Sequence, residues 1–173
     1  MRNTVTENIS EHSLDVAFIA HLLAVLRNKR FGGNVNPERV AVLAMYHDVT
    51  EILTGDLPTP IKYYNNDIKS VYSDIESKAS KQLLSYLPDD IRDVYEPLLR
   101  ADESESECWK LVKAADKISA LIKCVEERQM GNSDFEDAEN STVKSIRAMK
   151  IKEADVFLEE FMPLYGLTLD KQT

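Results

Sequence analysis

Apolar residues recur every three to four positions along most of this chain, the spacing of helices that bury one side. In NISEHSLDVAFIAHLLAVLRNKRFGGN the apolar groups from Leu14 to Leu26 point in nearly every direction around the axis, which predicts a helix enclosed by others. Asn8 or Ser10 caps it, Glu11 suits its first turn and Gly32-Gly33 stops it. A second helix opens on the cap Asn36 and on Pro37, and is expected to run to about Leu53, before Gly55. DLPTPIKYYNN, with two prolines, reads as an ordered loop or short turns. Helical stretches follow over about 66 to 86, between Pro88 and Arg100, and from about Ser104 to Met130, where Gly131 ends the last of them. The remainder, to about Phe161, reads as one helix or a kinked pair. With no alternating run long enough for a sheet, the pattern predicts an all-α, bundle-like single domain over residues 1–173.

Composition agrees: 173 residues, 43% apolar and 29% charged, with only five Gly and six Pro, fit one helical domain. A net charge of −9 and a pI near 4.9 exclude a protein that grips a nucleic acid polymer through its phosphates. A small anionic substrate stays open, because a metal or a few local cations override the global field. Cys108 and Cys124, on what reads as one helix, stand roughly 24 Å apart by helical rise and cannot pair. Neither a signal peptide nor an apolar span of membrane length is read, so a cytoplasmic protein without a membrane partner is expected.

The chemistry concentrates in MYHDVTEILTGDLPTPIK, residues 45–62, where His47, Asp48, Glu51 and Asp56 follow an apolar helix. On a continuing helix His47 and Glu51 fall within about 40° of each other on the side of Val40, Leu43 and Ala44, aimed inward, while Asp48 lies about 100° round. Burying carboxylates without a partner is costly, and a cation is the simplest group that serves all three. Imidazole nitrogen with carboxylate oxygen suits a divalent first-row metal. Taken alone, His12 in SEHSL is a surface residue of a first turn, and His21 in FIAHLL a core or interface histidine. Asp116, beside Trp109, Val112 and Ser119 in helical projection, is an ordinary boundary carboxylate. FGGN serves as a helix stop, DESESE as a solvated helix start. Met45, Tyr46, Tyr63 and Tyr64 suit the core, the last two equally a pocket wall. No Ser-His-Asp or Cys-His arrangement can be defended.

EHS, then HDVTE, then KAADK far downstream resembles the HD-domain phosphohydrolases, in which His, His-Asp and Asp hold a divalent metal inside a helical fold. That resemblance assigns His12, His47, Asp48 and Asp116 as metal ligands. TENISEHSLDVAFIAHLLA, FGGNVNPERVAVLAMYHDVTEILTGDLPTPIKYYN and LVKAADKISALIKCVEE are similar to the bacterial YfbR-type 5′-deoxynucleotidases, from residue 3 to about 165. The resemblance implies a cytoplasmic homodimer hydrolysing deoxyribonucleoside 5′-monophosphates; the mixed nitrogen and oxygen donors allow Co²⁺, Mn²⁺, Zn²⁺, Fe²⁺ or Mg²⁺. It makes Glu51 and Asp56 catalytic, and His12, Asp56, Leu57, Pro58 and Thr59 substrate contacts. Two other readings stand beside it: hydrolysis of another nucleotide phosphoester, and a non-catalytic, metal-stabilised dimerisation or regulatory module. The family usually carries about twenty residues before the position of Met1, with an Arg-Trp pair that contacts substrate. Without them, the metal site is expected to survive while affinity and sugar discrimination weaken.

Overall fold

A computed structural model describes residues 3–56, 61, 64–100 and 103–167, and among these there is no β-strand. Helix α1 spans Ile9–Arg30. Asn8 caps it, its side chain accepting the Ser10 and Glu11 N–H groups at 3.0 Å while the Glu11 carboxylate accepts the Asn8 N–H at 3.0 Å. The helix ends where Phe31 and Gly33 both donate to the Arg27 carbonyl, across Gly32 at φ 68°. A side chain on Gly33 would collide with that of Arg27.

Helix α2, Pro37–Tyr46, is capped by Asn36, which accepts the Arg39 N–H at 2.9 Å. The expected continuation to Leu53 does not occur. From His47 to Thr50 the chain runs through turns, with His47 N–H to Ala44, Val49 N–H to Tyr46 and Glu51 N–H to Asp48 closing three-residue spacings. A short α3, Glu51–Thr54, follows and stops at Gly55, φ 69°. The β-branched pair Val49-Thr50 weakens helical preference at the break.

Then come α4 (Asn66–Ser85), α5 (Asp89–Leu99), α6 (Ser106–Gln129), α7 (Glu136–Ala148) and α8 (Lys152–Val156). The tail anticipated as one helix or a kinked pair breaks at Lys150, which takes the left-handed φ of 56° between α7 and α8. It closes with a π turn, Phe157–Phe161.

The core joins α1 (Val16, Ala20, Leu23), α2 (Val40, Leu43, Ala44) and α6 (Leu111, Ala115, Ile118), with Ile146 and Phe157 closing it. Small residues at Ala20, Ala44 and Ala115 let the three helices approach closely, and each buried Leu or Ile contributes about 1.5–3 kcal/mol of transfer free energy. The enclosure expected for α1 is incomplete. Leu14 and Phe18 are 46% and 66% exposed and His21 is exposed too, so His21 is not a core histidine. Met45 and Tyr64 also face outward, and Tyr63 lies outside the described residues. By length and composition α1 is apolar enough to cross a membrane, contrary to the expectation of no such span. Its buried Val16, Ala17, Ala20, Leu23 and Ala24 account for that composition as core packing.

Candidate metal centre

Three elements deliver four side chains to one point. His12 stands in the first turn of α1, His47 and Asp48 sit where α2 gives way to turns, and Asp116 is midway along α6. The break after α2 matters here. On a straight helix neighbouring residues diverge by about 100°, whereas His47 Nε2 and Asp48 Oδ2 are 3.1 Å apart. His12 Nε2 lies 3.3 Å from Asp116 Oδ1 and 3.6 Å from Asp48 Oδ2, and His47 Nε2 is 3.9 Å from Asp116 Oδ1. The imidazoles lie 5.4 Å apart, tilted by 44°. One donor atom from each of the four residues falls within 4.8 Å of all the others.

The carbonyl of Ala44, near the end of α2, accepts from the His47 N–H and, at 2.8 Å, from His47 Nδ1. That bond fixes the neutral tautomer, so Nε2 turns its lone pair toward the carboxylates. Nε2 is buried and no hydrogen bond satisfies it. A lone pair facing two carboxylates calls for a cation, and the mixed N,O donor set fits a divalent metal ion. Without one, protons take its place. Burial works to lower the His47 pKa, but the Asp116 and Asp48 carboxylates outweigh it and push the imidazole from 6.5 up to about 10. His12 is raised too, by its bond to Asp116 against the cost of burial. Burial alone would raise Asp116, yet the two imidazoles hold it well below the ordinary carboxylate range.

Three of the four, His12, Asp48 and Asp116, line a cleft of about 650 Å³. Glu51 and Asp56 line it, as do Glu7 and Asn8 ahead of α1, Ile9 at its start, Lys117 and Ser119 on α6, and Ser141, Thr142 and Ser145 on α7. Glu51 is half-buried rather than aimed into the core, because the break after α2 turns it toward the cleft. Five carboxylates and one lysine make a poor seat for a phosphate on their own, and a divalent cation changes that balance. Leu57, Pro58 and Thr59 lie outside the described residues. The structure therefore brings together the four expected ligands and both further carboxylates, and leaves His21 apart on the far surface of α1. Sequence reasoning passed over the hydroxyl-bearing wall of α7. Only the one-turn spacing of Ser141 and Ser145 marks a shared face.

The model of the family described as 5′-deoxynucleotidase YfbR-like matches residues 1–165. A 5′-deoxynucleotidase of Vibrio atlanticus (strain LGP32) is 48% identical over 171 residues, 99% of this chain and 88% of its own length. The Shigella boydii 5′-deoxynucleotidase YfbR is 47% identical, over 99% and 86% of the two chains. Among solved structures, an HD-domain phosphohydrolase of Listeria innocua superposes with a TM-score of 0.82 at 24% identity, covering 95% of this chain and 79% of that one. A conserved hypothetical protein of Pyrococcus furiosus gives 0.65 at 26%, covering 94% and 84%.

Proposed function

The chain belongs to the YfbR-like 5′-deoxynucleotidase family, and we propose on that basis that it is a metal-dependent phosphomonoesterase that splits deoxyribonucleoside 5′-monophosphates into deoxynucleoside and phosphate. One observation carries the metal assignment: the buried Nε2 of His47, unsatisfied by any hydrogen bond, faces carboxylates inside a set of four convergent donors. His12, His47, Asp48 and Asp116 hold the ion. A divalent cation supplies Lewis acidity there, drawing charge off a phosphate and acidifying water. The remaining work belongs to side chains. Glu51 and Asp56, on the same cleft, between them orient the attacking water and protonate the leaving 5′ oxygen. His12, Asp56 and the following Leu57, Pro58 and Thr59 contact the nucleotide. Mn²⁺, Co²⁺, Zn²⁺, Fe²⁺ and Mg²⁺ all suit this donor set.

The test is phosphate release from a panel of deoxy- and ribonucleoside 5′-monophosphates with Co²⁺ or Mn²⁺ and with chelator. Turnover should require metal, and Asp48→Ala should lose bound metal together with about 10²- to 10³-fold in kcat. Turnover that survives both chelation and Asp48→Ala would rule out this reading. We further propose that residues 1–173 form one domain and that two copies pair in the cytoplasm. The continuous apolar cluster, the exposed Leu14 and Phe18 on α1, and the unpaired Cys108 and Cys124 support these assignments.

A further inference from the structure

Glu127, on α6 about three turns beyond Asp116, is fully buried and outside the cleft. Its two oxygens each accept the Thr4 N–H at 2.8 Å, and one also accepts the Val5 N–H at 3.3 Å. Asn132 Nδ2 donates to Oε2 at 2.9 Å, and Lys123 Nζ stands 3.9 Å from Oε1 while donating to the Val5 carbonyl at 3.1 Å. A buried carboxylate is thus satisfied largely by the backbone of the segment leading into α1. Two residues past this clamp, Glu7 places Oε2 3.9 Å from His12 Nδ1, the ring nitrogen turned away from Asp48 and Asp116. At that distance Glu7 acts on the ring through its charge rather than as a hydrogen-bond acceptor, and a carboxylate behind a metal-binding imidazole favours the ring's cation-facing orientation and strengthens it as a ligand.

We propose that Glu127 is a positioning residue for the metal centre: by clamping Thr4 and Val5 to α6, it holds Glu7 against the outer nitrogen of His12 and so sets that ring toward the cation. This rests on the metal reading above. Calorimetric Co²⁺ titration tests it on the wild-type chain, Glu127→Gln, Thr4→Pro, Glu7→Gln and the Glu127→Gln/Glu7→Gln double variant, with amide hydrogen exchange followed over residues 3–9. Thr4→Pro leaves the carboxylate in place and removes its principal donor, so it stands in should Glu127→Gln not fold. Each single change should weaken Co²⁺ binding by about tenfold, both clamp variants should exchange faster over residues 3–9, and the double variant should bind no more weakly than Glu7→Gln. Unchanged affinity in both clamp variants would overturn the proposal, as would a Glu127→Gln loss that adds in full to that of Glu7→Gln. A wild-type chain that takes up no Co²⁺ would sink the metal reading and this inference with it.

Discussion

His47 shows how much one side chain can be asked to do. Its Nδ1 ends a helix by donating to Ala44, and its Nε2 is left for a cation. Sequence spacing picks out His47 and Asp48 because titratable groups at the end of an apolar helix are anomalous where they stand. His12 and Asp116 carry no such mark. Their meaning comes from partners supplied by distant segments, so only the resemblance assigned them. Glu127 was overlooked for the same reason, since nothing in KCVEERQ tells a clamped carboxylate from a solvated one. Its environment makes a pH prediction. Burial would raise its pKa, but the Thr4, Asn132 and Val5 donors prevail and bring it from 4.5 down to about 2. An acid depressed in the folded state contributes fully above its unfolded pKa, and the contribution is lost as pH falls through the folded one. Melting temperatures of wild type and Glu127→Gln should therefore differ above pH 4.5 and converge on acidification through about 2. A gap that persists to the acid limit would contradict this.

Among the elements, caps and stops were the most legible features. Asn8, Asn36-Pro37, Gly55 and Gly131 act where their chemistry places them. The break after α2 was not, because apolar spacing runs through it and only the weak preference of Val49-Thr50 argues against a continuous helix. Nor could periodicity show that one side of α1 stays open, since an exposed apolar face has the same pattern as one turned toward a core. At Lys150 a side chain with a Cβ holds a left-handed conformation that costs roughly 1–2 kcal/mol, part of which a glycine would give back in unfolded-state entropy. Lys150→Gly should therefore stabilise the chain by about 0.5–1 kcal/mol in denaturant unfolding with an unchanged slope. Destabilisation would mean that the lysine side chain has a role of its own between α7 and α8.

For the molecule as a whole, the all-α class followed from spacing and composition, whereas the convergence of α1, the end of α2 and α6 on one point did not, because it is set by which helices pack together. A ligand that binds only the folded chain stabilises it by about 2.7 kcal/mol at a hundredfold excess over Kd. Replacing Co²⁺ at that level by chelator should thus lower the melting temperature by about 5–10 °C, and an unchanged melt would count against the cage. The small residues Ala20, Ala44 and Ala115, which bring the three helices together, also set an order of events. The donors meet only after that core has closed, so ion capture comes late. Refolding should proceed at one speed with or without Co²⁺, while unfolding slows when the ion is bound. Freshly made chain would then finish folding empty, and any ion it takes up would record the pool it met afterwards.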